Sequence, residues 1–392
     1  MKECVVIDGV RSANVRAHAQ KGWFRNVRID EVLTQVYSGL FARNPKVKPE
    51  EIEAVFCGCA NQTGQTFDVG RLAWLAGGFP ENVAANTICQ QCPSGMSAIE
   101  HAARAIMAGE GDTYIAAGVE DMLHVPMGAG ADFPPRVAAR YGSINDVLMG
   151  PTAEKVAEMW KLNAEEMQLV AYWSNKKAAA ARDAGKFDAE IIPIEGHDDD
   201  GNPFMVKTDQ WIRDDITMES MAKMKSPFKE GGMVTAAMSS PLTAGACAVL
   251  LMDREKADKL GLDYTIKYKA GAMVGNDPTI MGVGPIDAVK KVCARAGIAI
   301  SDIGIVELNE AFASQALVCL RELGIEKDAP FAKTNIWGGA LALGHPLGES
   351  GARLVVTLNN IMKTDKADVK YGLAGLCGGF GNGNATLWER VK

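Results

Sequence analysis

The chain carries one series of segments twice, in the same order and at nearly equal spacing, and nothing else in it constrains the fold as tightly. EEIEAVFCGCANQ (50–62) aligns with SDIGIVELNEAFA (301–313), sharing Ile52 with Ile303, Val55 with Val306 and Ala60 with Ala311. CPSGMSAIEHAARAIM (92–107) aligns with GESGARLVVTLNNIM (348–362), each holding Ser-Gly near its start and Ile-Met at its end. YIAAGVED (114–121) aligns with YGLAGLCGG (371–379). From Val55 to Cys92 is 37 residues (92 − 55), and from Val306 to His345 is 39 (345 − 306). The pattern is that of a duplicated α/β unit.

Within the first copy, short β-branched runs alternate with segments of helical period. CVVID (4–8), AVFCGCA (54–60), NTIC (86–89) and TYIAAGVED (113–121) read as strands; 29–44, 69–78 and about 94–107 read as helices. Alternation of this kind predicts a mostly parallel sheet with helices on its faces. It resumes from about Tyr264. Residues 122–250 differ: HVPMGAGADFPPRVAARYG is rich in Pro and Gly, 152–184 is helical, and GHDDDGNP is a turn cluster. This stretch is expected to be an excursion from the first unit that covers a substrate.

Several function classes fall away on composition. With 392 residues the chain can bury an ample core without staples. A net charge of −7, from 41 Lys+Arg against 48 Asp+Glu, leaves no global basic surface for nucleic acid. No apolar run is long enough to span a bilayer. Nine scattered cysteines, an odd number, suit a reducing compartment, so a cytoplasmic protein is expected.

Cys89-Gln90-Gln91-Cys92 could be a redox pair, half a zinc site or a nucleophile beside an incidental sulfur. A zinc site needs two further ligands, and Cys57 and Cys59 have the wrong spacing. A thioredoxin-like pair normally has Pro and Gly between its cysteines, where this chain has two glutamines. Cys92 opens C-P-S-G at a helix start, where free backbone N–H groups and the helix dipole favour thiolate. A thiol nucleophile needs a base. Of five histidines, His345 in GGALALGHPLGESGAR occupies in the second copy roughly the place of Cys92 in the first. His18, His101 and His197 read as surface or core residues. Cys377 leads into a Gly-rich turn, GLAGLCGGFGNG, whose backbone could approach a ligand oxygen as an oxyanion hole or as a phosphate cradle. No Lys or helix-start Ser/Thr follows for the latter.

These blocks, CPSGMSA, NEAFA (309–313), GGALALGHPLGESGAR and CGGFGNG, resemble in order and spacing the signature blocks of the thiolase family, over essentially the whole chain. GVEDMLHVPMGAGADFPP (118–135), GHDDDGNP and DPTIMGVGP (277–285) look most like the bacterial degradative 3-ketoacyl-CoA thiolases. The resemblance implies an α/β fold of duplicated, five-layered thiolase type, two βαβ-type halves with mixed sheets plus an inserted loop domain. The halves would be residues 1–121, completed by about 235–263, and 264–392, with 122–234 as the loop domain. It also implies a ping-pong exchange with CoA as co-substrate and no cofactor. Cys92, deprotonated by His345, would take the acyl group, and Cys377 would protonate the leaving enolate. His345 and a water on Asn309 would stabilise the enolate oxygen; the amides of Cys92 and Gly379 would form the second hole. Ser240 and His124 would contact CoA or substrate, and Met281 would line the acyl pocket. A homodimer or homotetramer is implied, within a β-oxidation complex or outside one. The alternatives are an acetoacetyl-CoA thiolase, a thiolase acting on an unusual 3-oxoacyl-CoA and, from another class, a scaffolding subunit that kept the fold without turnover.

Departures from the family pattern concern the pocket. Ala237, Met238, Pro241 and Ala244 replace its Gly, polar, small and Asp positions, which puts the CoA-side shape in question. Residues 11–22 depart from its usual R-T-P start. Trp337 stands where Asn is common, and Glu349 where Ala, Cys or Met is usual. Near His345, the indole and the acid are expected to reshape the acyl pocket or raise the imidazole pKa.

Overall fold

A computed structural model describes residues 2–62 and 66–391. The first repeat runs β1 (Cys4–Arg11), β2 (Val15–Arg16), α1 (Ile29–Arg43), β3 (Ala54–Gly58), α2 (Val69–Ala76), β4 (Ala84–Ile88), α3 (Ser94–Ala108) and β5 (Thr113–Asp121). The inserted stretch adds α4 (Pro135–Tyr141), α5 (Met149–Met159), α6 (Ala164–Asp183), β6 (Ile194–His197), β7 (Pro203–Val206) and α7 (Met218–Ala222). The chain then returns to the first repeat through β8 (Thr243–Asp253) and α8 (Arg254–Leu260). The second repeat runs β9 (Ile266–Gly275), α9 (Gly284–Ala296), β10 (Ile303–Leu308), α10 (Ala313–Glu322), α11 (Ala340–Leu343), α12 (Leu347–Lys363), β11 (Tyr371–Gly378) and β12 (Asn382–Arg390).

β5 and β8 are buried at every position, because each is covered on both faces, and this is why their sequences read as continuous apolar runs. The strand order is β10-β11-β12-β9-β1-β8-β5-β3-β4, with β2 on β8. One pairing, Val5 with Lys267, joins the two halves of this path. Among the described strands only β3–β4, β3–β5 and β10–β11 pair parallel; the other strand pairings in this sheet are antiparallel. The expected mostly parallel sheet is therefore wrong. Helix-strand alternation reports crossovers, and here the excursion brings β8 back antiparallel to β5, while a tight turn at Phe380 (φ 64°) and Gly381 (φ 83°) folds β12 against β11.

The duplication is visible in the packing. Beside β10, where β4 lies beside β3, residues 333–335 add a short parallel stretch: the Val306 N–H donates to Lys333 O at 2.8 Å and the Asn335 N–H to Val306 O at 2.9 Å. α3 and α12 pack on each other and on both halves of the sheet. α1 and α2 cover the first half from outside, and α9 and α10 belong to the second, giving five layers. The repeated Ser-Gly has a physical reason here. A Cβ on Gly95 would lie 2.5 Å from Gly348 O, and one on Gly351 would lie 2.3 Å from Met96 N, so the central helices cross where neither can carry a side chain.

The inserted segment rests on the second half. α6, started by an Asn163/Glu166 capping box with both bonds at 2.9 Å, packs on α10 and α11. Buried apolar residues of α5 and α6 share one core cluster with α10 and β10. A fully buried guanidinium ties the segment to β1. Arg11 bonds Asp209 at 2.7 and 2.9 Å and Glu190 at 2.8 Å. Removing one partner of such a network costs roughly 3–5 kcal/mol, since a buried charge is left unpaired.

Candidate active site

Cys92 lies between β4 and α3. The preceding Gln91 has φ 59°, a left-handed conformation rare outside Gly, and it turns the chain into the helix. The Gly-rich turn after β11 packs directly on this turn, since a Cβ on Gly378 would lie 2.6 Å from Pro93 Cδ. As a result the backbone N–H groups of Gly379 and of Cys92 itself both reach the Cys92 sulfur. Both favour the thiolate, yet burial outweighs them and the thiol is pushed up to about 12. The amides act in the direction expected of the helix start, and the loss of water, which the local sequence does not display, outweighs them.

His345 leads into α12 and is buried. Its Nδ1 is 2.7 Å from the Ser350 hydroxyl, whose single proton is directed to Pro346 O at 2.8 Å. The hydroxyl therefore accepts, Nδ1 carries the hydrogen, and Nε2 keeps its lone pair as the basic nitrogen. Burial, followed by the Arg353 charge, lowers the imidazole to about 3. The ring is held neutral. Asn309 Nδ2 lies 3.3 Å from Nε2, and Asn309 Oδ1 is buried with no hydrogen-bond partner in the protein.

Asn309 follows β10 and Cys377 lies near the end of β11, two parallel neighbours joined by the Asn309 N–H donating to Gly375 O at 2.9 Å. Cys377 is fully buried, which pushes its thiol well above the usual range, and the nearby Cys92 sulfur adds to the effect. The first turns of the two central helices complete the convergence. Gly95, three residues past Cys92 (95 − 92), abuts Gly348, three past His345 (348 − 345). Cys92, His345, Cys377, Asn309 and Gly379 thus come from four separate loops to one region.

The remaining candidates divide. Ser240 lies beside the NEAFA loop, its N–H donating to Ala311 O at 3.0 Å. Met281 is buried in the same apolar cluster as Phe312 and Cys377. His124 is set apart: its Nδ1 faces Asp121 Oδ2 at 2.5 Å, its Nε2 faces Arg25 O at 3.1 Å, and the surface pocket around it is lined by residues 25–30. Cys89 is exposed and donates to Ala60 O at 3.3 Å. Trp337 turns away from the site, its Nε1–H donating to Asp365 Oδ2 at 2.8 Å and its ring meeting Phe187 edge-on. Glu349 is buried among Arg353, Arg11 and other charges; burial raises its own pKa to about 7, but it is not among the groups that shift His345. The expectation that these two residues reshape the acyl pocket or raise the imidazole pKa is corrected on both counts.

Three supporting residues escaped the sequence reading. Ser350 sets the tautomer of His345. Thr243 Oγ1 accepts the His345 N–H at 3.2 Å and donates to Pro241 O at 2.6 Å. Glu310, buried in NEAFA, accepts from Ser174 (2.6 Å), Asn335 (2.8 Å) and the Leu341 N–H (3.3 Å), bracing the loop that leads to His345. Ser350, at the i+5 position from His345 in a helix start, carried a signal of spacing; the other two meet the loop only through the fold.

Comparisons with known proteins agree with this geometry. Residues 4–255 match the family model "Thiolase, N-terminal domain" and residues 262–390 match "Thiolase, C-terminal domain". Over the full length of both chains, the protein is 44% identical to a 3-ketoacyl-CoA thiolase of Shewanella frigidimarina and 45% identical to one of Shewanella baltica. The relative from Pseudoalteromonas translucida, of the same name, is 44% identical, again over all of each chain. Among solved structures, the Bacillus anthracis acetyl-CoA acetyltransferase superposes with a TM-score of 0.89 at 33% identity, covering 100% of this chain and 99% of that one. With both halves of the family model matched and full-length relatives at this identity, the chain belongs to the thiolase family.

Proposed function

We propose that the protein is an acyltransferase that cleaves 3-oxoacyl-CoA with CoA, giving acetyl-CoA and a shortened acyl-CoA. The observation that carries this reading is the buried Cys92 thiol, reached by two backbone amides, together with the buried His345 imidazole, whose tautomer is fixed by Ser350 so that Nε2 keeps its lone pair. The full-length relatives named 3-ketoacyl-CoA thiolase support the choice of substrate class.

The resting pair is neutral, so the sulfur is activated as it attacks. Its proton passes to His345 Nε2 while a bond forms from Sγ to the 3-keto carbon, and the oxyanion meets the N–H groups of Cys92 and Gly379. The C2–C3 bond then breaks, leaving an acyl-Cys92 thioester and the acetyl-CoA enolate. Cys377 gives its proton to that carbanion, and the enolate oxygen is held by protonated His345 and a water oriented by Asn309. Incoming CoA returns a proton to Cys377, attacks the thioester and releases Cys92 as thiolate, which recovers the proton on His345. Burial suits both sulfurs to this work, because each must hold a proton at rest and surrender it only to a reacting partner. CoA is the co-substrate, and no resident cofactor enters any step.

Fatty-acid β-oxidation in a reducing, cytoplasmic setting fits nine free cysteines. Among the described residues no helix is long and apolar enough to cross a membrane. A homodimer or homotetramer belongs to the same reading: β4 ends the sheet, and Phe67, Leu72 and Leu75 near it are exposed, a combination that another copy would cover. The test is thiolysis of acetoacetyl-CoA and 3-oxohexadecanoyl-CoA, with acetyl-CoA release as readout. Release from the longer substrate is expected; no release from any 3-oxoacyl-CoA would leave only a non-catalytic role.

A further inference from the structure

A cavity of about 240 Å³ lies at the end of α12 remote from His345, and no residue of the chemistry described above lines it. The last turn of α12 meets there β1, the end of α1, the segment before β9 and the 185–189 turn of the inserted stretch. Trp337, a departure from the family pattern that does not serve the acyl pocket, is part of the lining. Its Nε1–H is committed to Asp365 and its ring to Phe187, so with Ile7 and Ala189 it forms a fixed apolar wall.

Most of the charge around this cavity is already paired. Arg43 Nη2 donates to Asp8 Oδ1 at 2.9 Å, and Lys186 Nζ to Asp365 Oδ1 at 2.5 Å. Three polar groups of the lining are left over. Asn359 is only 8% exposed, and its Oδ1 is buried with no hydrogen-bond partner in the protein. The Asp263 carboxylate and the Lys363 ammonium have no ion pair or side-chain hydrogen bond among the described residues. A buried acceptor without a donor is a costly state that a bound donor relieves.

The placement of these three groups says what donor fits. Asn359 and Lys363 stand four apart on α12 (363 − 359), so they share one face with Cβ atoms roughly 5–6 Å apart. Two acceptors, Asn359 Oδ1 and Asp263, call for an ammonium, and the carbonyl end of a helix favours a positive charge there. Lys363, one turn further out at the exposed rim, calls for a carboxylate close to that ammonium. Ammonium and carboxylate on one carbon are what an α-amino acid carries. At roughly 30 Å³ per water-sized group the cavity holds about eight such groups, close to the number of non-hydrogen atoms in valine.

We propose that this cavity is a binding site for a free α-amino acid with a small aliphatic side chain. Its ammonium sits on Asn359 Oδ1 and Asp263, its carboxylate on Lys363, and its side chain against Ile7, Ala189 and Trp337.

The experiment is isothermal titration calorimetry of the full-length protein at neutral pH with three probes: valine, isovalerate, which lacks the ammonium, and isobutylamine, which lacks the carboxylate. Valine is expected to bind with a dissociation constant of about 1 mM or below, and each of the other two at least tenfold more weakly. Lys363→Ala, a change at an exposed position, and Asn359→Leu, which removes the orphaned acceptor, should each weaken valine at least tenfold. A thermal midpoint no lower than that of the wild type confirms that Asn359→Leu is folded. No heat from valine up to about 20 mM would overturn the proposal, as would isovalerate binding as tightly as valine, or valine binding unchanged in both variants. Calorimetry needs no turnover, so its failure leaves the thiolase reading standing.

Discussion

The Cys92 turn and the His345 turn hold corresponding places in the two repeats, and they are built in opposite ways. The first is short. Cys92 lies four positions past the end of β4 at Ile88 (92 − 88), and one left-handed residue, Gln91, makes the bend. In the second, His345 lies ten positions past Asn335 (345 − 335), and the extra length is braced by Glu310, Ser174 and Thr243. The contrast follows from what each group needs. A nucleophile whose adduct carries an oxyanion needs backbone N–H groups aimed close by it, and a tight turn supplies them. A base needs one ring nitrogen fixed and the other left free, and that takes side chains gathered from several elements.

The comparison can be broken first at its chemistry. Cys92→Ala removes the nucleophile, and thiolytic kcat is expected to fall roughly 10⁴-fold or more with no acyl-enzyme seen by intact-mass spectrometry. Residual turnover within a hundredfold of wild type would mean that another sulfur carries the acyl group. His345→Ala should cost less, roughly 10³-fold in kcat/KM, because general-base catalysis contributes about 10²–10⁴. If that loss is under tenfold, the second repeat does not supply the base.

The crossing that joins the two turns gives a stability prediction. Gly95→Ala places a Cβ within 2.5 Å of Gly348 O, which is backbone and has little room to yield. A loss of about 1–3 kcal/mol is expected, seen as a lower urea midpoint at an unchanged m-value. An unchanged midpoint would show that the helices cross less closely than this. The smallest effect belongs to Ser350→Ala. It removes the acceptor for His345 Nδ1–H, frees the tautomer, and should lower kcat about tenfold with KM little altered. Recovery in Ser350→Thr, which restores the hydroxyl, would separate tautomer control from packing.

How much of this could be read from the sequence depended on whether the signal was local. The first-repeat elements from β1 to β5, apart from the two-residue β2, were legible because their apolar periods, and glycines such as Gly109 at the end of α3, mark them within the chain itself. Cys92 and His345 were legible through the duplication. Strand direction was not, since nothing in the residues of β8 or β12 says which way their neighbours run. The orientation of Trp337 was missed for a similar reason: its indole is directed by Asp365 and Phe187, remote in sequence. The resting state of Cys92 was not legible, because the helix start acts through adjacent residues, whereas the burial that outweighs it is made by the Gly378–Gly379 turn and the opposite repeat.

The central claim is that the two repeats hold a neutral thiol and a neutral imidazole, with the proton moving only on attack. The direct measurement is the pH dependence of inactivation by iodoacetamide, followed as loss of thiolysis in Cys89→Ala so that the exposed sulfur does not interfere. With Cys92 pushed up to about 12 and His345 down to about 3, the rate should climb about tenfold per pH unit from roughly pH 6 to pH 10, without a plateau. A rate that levels off near about pH 7 would reveal a resting thiolate–imidazolium pair and contradict the account.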